Sequence, residues 1–237
     1  MASISGFLAN SYSYLSSNAG QRSSVTAKSS DGSSGVSEKT SETAPASGKE
    51  APAPGTLANA AANARAKIDA GYAKLGITGT SRTTADEWDE VGFPEFDRQM
   101  LYAVQSNEGG LFSDMEVLAA ENEVANRISD IVNANPQNPT RAYREIVDFY
   151  DSASADEKAS FEWAVSRASY QKAYILSGGT EDVSTDNPLV DKLTQAWDQV
   201  IARNGNSHDF PNMPAYRDAL MWWSDANGGA RHVDLSA

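Results

Sequence analysis

The string MLYAVQSNEGGLFS, residues 100–113, closes an apolar stretch on one carboxylate, Glu108, followed by two glycines. A carboxylate at a helix end can act as the general acid or base of a hydrolase when a cleft holds it beside a second group. The ordinary reading of the same residues is a solvated Glu before a Gly-Gly helix stop. Other chemistries have less support. The chain has no cysteine, which excludes disulfides, thiolate catalysis, Cys-ligated zinc and iron–sulfur clusters. Its only histidines are His208 and His232, and no cluster of His, Asp and Glu has zinc-site spacing, so no metal is expected. His208 and Asp209 read as a loop pair. The string DANGGARHVD from Asp225 lacks the residue order and final Glu of a calcium loop and reads as a helix stop followed by a polar tail. Neither a Walker loop, nor GxGxxG, nor a GxSxG elbow occurs, so no nucleotide or other cofactor is expected.

Around Glu108 the chain resembles the lysozyme-like lytic transglycosylases, in which a catalytic Glu closes an apolar helix and small residues follow. That resemblance implies peptidoglycan hydrolysis with Glu108 as the catalytic residue. The sequence departs from the family's pattern at Gly109, where the family carries Ser, and lacks its downstream Gly-Leu-Met-Gln segment.

The elements that would position these residues are helices. Of 237 residues 40% are hydrophobic, including five Trp, nine Tyr and seven Phe, but they are unevenly spread. Between Leu15 and Leu57 only Val25 and Val36 are sizeable apolar residues, too few to offset the entropy of ordering that stretch. Residues 18–55 therefore read as a Ser/Gly/Ala/Pro-rich disordered linker, with residues 1–17 before it and a helical domain over 56–237 after it. Within that domain an Ala-rich helix and connector cover 56–83, and the core covers 84–237.

Thr56 is placed to cap the Ala-rich helix, whose thin stripe of Leu57, Ala61, Ala64, Ile68 and Leu75 could pack on the domain, pair with a copy of itself or fray. Phe93, Phe96, Met100 and Val104 form a second stripe, expected to end at Gly109-Gly110. Ser113 with Glu116, and Ser154 with Glu157, have capping-box spacing and open helices carrying Val117, Val124, Ile128 and Ile131, and Phe161, Val165 and Ala168. Between them Tyr143, Ile146, Val147 and Tyr150 fall at i, i+3, i+4 and i+7. Asp186 is expected to cap a helix presenting Leu189, Leu193, Ala196, Trp197, Val200 and Ile201 on one face, and a last helix carries Tyr216, Leu220 and Trp223. No stretch alternates like a strand. The fold expected is all-α, an irregular bundle of six or seven helices preceded by a disordered N-terminal tail.

Trp222 and Trp223 point about 100° apart on a helix, so one can be buried while the other covers the rim of the core or meets a partner. In the N-terminal segment, Ile4, Phe7, Leu8, Tyr12 and Leu15 lie on one helical face. That segment can fold onto a partner groove, self-associate, dock back on its own domain or serve as an export address. Its Ser-rich, poorly charged composition resembles the uncleaved N-termini of flagellar and type III export substrates.

The formal charge of −13 weighs against phosphate neutralisation on nucleic acid and against anionic lipid, and it falls on the helical part, because the charges of residues 1–55 cancel. No apolar run reaches the roughly 18 residues of a membrane span. The N-terminus does not read as a Sec signal, since its first basic residue is Arg22. The expected setting is cytoplasmic, or export by another route. The leading reading is a non-enzymatic interaction protein with Ile4, Phe7, Leu8, Tyr12 and Leu15 contacting a protein partner. The second is a helical hydrolase using Glu108. A cleft placing another carboxylate opposite Glu108 favours the second, and an exposed apolar groove favours the first.

Overall fold

The computed structural model describes residue 53, residues 55–77 and residues 85–227. Residues 1–17 with Ile4, Phe7, Leu8, Tyr12 and Leu15, most of the linker, and His232 lie outside the described residues. The fold is all-α, and no strand occurs among the described residues. Seven helices have eight or more residues: α1 (Leu57–Leu75), α3 (Arg98–Gln105), α4 (Asp114–Ala134), α5 (Pro139–Asp151), α7 (Phe161–Leu176), α8 (Pro188–Ala202) and α9 (Pro214–Ala226). Two short helices, α2 (Ala85–Val91) and α6 (Ala155–Lys158), and three 3-10 turns complete the chain order.

The core divides into two hydrophobic clusters. In the first, α1 packs against α2 and α3, and α3 against α4, burying Ile68, Tyr72, Phe93, Phe96, Leu101 and Val104. Each such side chain contributes about 1.5–3 kcal/mol when withdrawn from water. The second cluster is a layered run in which α5 packs on α7, α7 on α8 and α8 on α9. Helix α4 spans both: Ala119 and Ala120 belong to the first cluster, Ile128 to the second, and Val124 packs against each.

Helix α1 docks through small residues. Ala60, Ala61, Ala64 and Gly71 are buried, so the backbones approach closely, and a Cβ added at Gly71 would lie 2.5 Å from the Val91 carbonyl oxygen. Polar groups hold the helix in register. Thr56 Oγ1 accepts from Asn59 N at its start. Farther along, Arg65 Nη1 (2.9 Å) and the Tyr72 hydroxyl (3.1 Å) both donate to Glu116 Oε1. The other Glu116 oxygen accepts from Ser113 N at 2.7 Å and completes the capping box of α4.

Helix α7 is largely buried, twelve of its sixteen residues being withdrawn from solvent, as suits a helix between two others. Its buried polar residues are paired. The Arg167 guanidinium donates to both Asp151 oxygens (2.7 and 3.0 Å), to Gln171 Oε1 (2.8 Å) and to the Val183 carbonyl (2.8 Å). Ser169 Oγ accepts from Trp197 Nε1 at 2.9 Å and donates to the Val165 carbonyl at 2.7 Å.

Three helix starts or ends differ from expectation. The stripe of Phe93, Phe96, Met100 and Val104 is broken: Phe93 and Pro94 lie in a 3-10 turn, Asp97 caps a new helix, and α3 ends at Gln105. Gly109 and Gly110 belong to a separate turn, both at positive φ. Ser154 caps only the single turn of α6, after which Ser160 caps α7 through Trp163 N. Helix α8 is capped by Asn187, which accepts from Leu189 N at 3.0 Å, and not by Asp186. Pro188 at the first helical position decides this, because it forces the residue before it out of the helical region and makes that residue the cap.

Candidate cleft between the two clusters

A cleft of about 670 Å³ opens where the two clusters meet. Helical spacing aims its walls. Arg98, Tyr102 and Gln105 come from successive turns of α3; Leu118, Glu121, Asn122 and Ala125 from one face of α4; and Trp163, Ser166 and Tyr170 from one face of α7. Tyr150 from the end of α5, Asp156 and Glu157 from α6, and Trp223 from the end of α9 complete it, with Leu57 at the start of α1.

Two features define its chemistry. Among the described residues, the charged groups lining it are five carboxylates, Glu108, Glu121, Asp156, Glu157 and Glu162, and a single cation, Arg98. That cation is committed internally. Arg98 Nε donates to Glu157 Oε2 at 2.9 Å, Nη2 faces Glu157 Oε1, and Nη1 donates to the Phe149 carbonyl at 2.6 Å. The guanidinium also lies over the rings of Phe149 (4.0 Å) and Tyr150 (5.0 Å). The remaining carboxylates give the recess a negative potential that its low-dielectric walls focus.

The second feature is aromatic surface. Tyr102, Tyr150, Trp163, Tyr170 and Trp223 all line the cleft, with Tyr150 and Tyr170 stacked at 5.6 Å. Burial, opposed by a hydrogen bond with Ser166, holds the Tyr150 hydroxyl above the ordinary phenol range. Trp163 Nε1 donates to the Tyr150 carbonyl and Trp223 Nε1 to the Ala159 carbonyl, each at 2.9 Å, which fixes both rings.

The sequence-derived candidates fall as follows. Glu108 is half-buried on the turn Glu108–Gly110 and lines the cleft with the four other carboxylates. Among the described residues no side chain hydrogen-bonds to its carboxylate. Trp222 is 40% exposed, whereas Trp223 packs on the second cluster and reaches the cleft. The His208-Asp209 pair lies in a 3-10 turn where Asp209 Oδ2 accepts from Asn206 N at 2.8 Å. No group of metal-ligating residues occurs among the described residues, and no described helix is long and apolar enough to cross a membrane.

Arg98, Trp163, Ser166 and Tyr170 were not singled out from sequence, and Glu157 was read only as half of a capping box. A signal existed: Arg98-Tyr102-Gln105 and Trp163-Ser166-Tyr170 place polar and aromatic residues at helical spacing beside apolar stripes. Compared with known proteins, the chain matches no family model, no curated sequence and no solved structure.

Proposed function

We propose that this chain is an interaction protein whose cleft receives a basic, partly apolar segment of a protein partner. The observation that carries the reading is that four carboxylates besides the Arg98-paired Glu157 share one recess with aromatic walls. Lys and Arg side chains carry an apolar stem and a cationic head, and such walls complement both parts. The setting of Arg98 supports the same chemistry within the fold: a guanidinium against a carboxylate, a carbonyl and two ring faces. The test is calorimetric titration with peptides that set Lys and Arg among apolar residues, against matched peptides carrying Glu at those positions. Binding of the basic series, weakened by salt and lost in Glu121→Lys/Glu162→Lys, is expected. Equal affinity for both series would sink the reading.

One observation favours a second reading, hydrolysis using Glu108: that residue shares the cleft with other carboxylates, as general acid–base catalysis on a glycan requires. It ranks below the first because Glu157 is engaged by Arg98 and Glu108 sits on a three-residue turn between left-handed residues, Asn107 and Gly109. Release of soluble fragments from peptidoglycan by the wild type and not by Glu108→Gln would promote it.

A further inference from the structure

We propose that the exposed apolar strip of α4, Met115 and Leu118 one turn apart, together with Leu57, which lines the same cleft as Leu118, is the docking site of the chain's own residues 1–17. Leu118 is 44% exposed, Met115 43% and Leu111, just ahead of α4, 45%. These are large apolar side chains that the helical clusters leave uncovered.

Where the chain enters the fold selects the occupant. Leu57 lines the same cleft as Leu118 and opens α1. Two residues earlier, the Gly55 carbonyl accepts a hydrogen bond from Gln99 Nε2 at 3.1 Å, which pins this part of the chain to α3 beside Arg98 of the cleft. Whatever precedes Gly55 therefore starts close to Leu57 and the cleft it lines. Residues 18–54 are Ser/Gly/Ala/Pro-rich, and linkers of that composition and length have an r.m.s. span of roughly 30–35 Å. Such a tether makes docking intramolecular, with an effective concentration on the order of millimolar.

The surfaces also match. Ile4, Phe7, Leu8, Tyr12 and Leu15 recur in the sequence at helical spacing, the pattern that lets a segment lie along an apolar strip when it folds on it. The first charged side chain in the sequence is Arg22, so the segment meets no repulsion beside Asp114 and Glu121. A second copy would fare worse: laying α4 on α4 brings together the acidic faces of two chains that each carry a charge of −13. Leu57 and Leu118 line the same cleft as the carboxylates proposed to hold a basic partner segment, so a docked segment 1–17 covers part of that cleft, while the docking itself relies on the apolar side chains.

Hydrogen exchange on the full-length chain tests it. Amides of residues 113–122 are expected to exchange several-fold more slowly in the wild type than in Phe7→Ser/Leu8→Ser. Leu118→Ser, at an exposed position, should reproduce the loss from the other side, and protection should persist on dilution. Equal exchange in the wild type and the double variant overturns the proposal. So does protection that vanishes on dilution together with a dimer in sedimentation, which assigns the strip to a second copy.

Discussion

The Arg98 guanidinium in α3 grips both oxygens of the Glu157 carboxylate in α6, joining the first hydrophobic cluster to the second at the wall of the cleft. Both side chains are largely buried, at 13% and 9% exposure, so neither charge is well solvated if its partner is lost. Arg98→Met should therefore cost about 3 kcal/mol, because it strands Glu157. Arg98→Met/Glu157→Met should cost less than that single change. Urea denaturation of the two variants and the wild type checks the order, and a double variant less stable than Arg98→Met contradicts it.

Gly71 offers a test in which two principles give opposite signs. Helix propensity alone makes Gly71→Ala stabilising by up to about 1 kcal/mol. The new Cβ, however, would sit 2.5 Å from Val91 O and 2.7 Å from Val91 Cα, both backbone atoms that cannot rotate away. Overpacking of this kind costs about 1–3 kcal/mol, so the variant should melt below the wild type. A raised melting temperature would show that α1 does not lie this close to α2.

The alkaline limit of stability should depend on Tyr72. Burial first, then the Glu116 charge, hold its hydroxyl above the ordinary phenol range, while it donates to Glu116 Oε1 at 3.1 Å. The unfolded chain releases this proton near pH 10, where the folded protein still holds it, so its contribution is full below about pH 10 and falls as pH rises above that value. Tyr72→Phe should flatten the loss of stability measured by urea denaturation between about pH 9 and 11. An unchanged slope would exclude Tyr72 as a source of it.

Arg167 is the largest fully buried side chain among the described residues, and its four hydrogen bonds tie α7 to Asp151 and Val183 and hold Gln171 one turn on in the same helix. Arg167→Met keeps much of the volume and leaves the Gln171 and Val183 oxygens without their donor. Asp151 is half exposed and regains water. A loss of about 2–3 kcal/mol follows, read as a lowered urea midpoint with an unchanged slope. A variant as stable as the wild type would mean that these oxygens find water.

Much of the helical scaffold was legible because its signals are local. Tyr143, Ile146, Val147 and Tyr150 repeat at helical spacing and are all buried, and Ser113 with Glu116 forms the expected reciprocal cap. Glu157 shows where local reading stops. Its spacing from Ser154 matches a capping box, and Ser154 does accept from Glu157 N, yet the carboxylate turns to Arg98, 59 residues away in sequence. A buried guanidinium outcompetes a backbone amide near the surface. Arg167 and Ser169, polar residues that no local pattern marks as buried, are enclosed because α5 and α8 close over them. Of the cleft, sequence reading singled out Glu108 and Trp223, while the faces that meet them depend on how α3, α4 and α7 pack.

The most direct measurement of the proposed function is a nuclear magnetic resonance titration of the full-length protein with a Lys- and Arg-bearing apolar peptide. Saturable amide shifts at Tyr102, Glu121, Ala125 and Trp163, residues from the three helices that wall the cleft, are the predicted result. They should shrink as salt is raised and be lost with the matched acidic peptide. Shifts confined to other surfaces, or the same pattern with the acidic peptide, would contradict a cleft built for a basic segment.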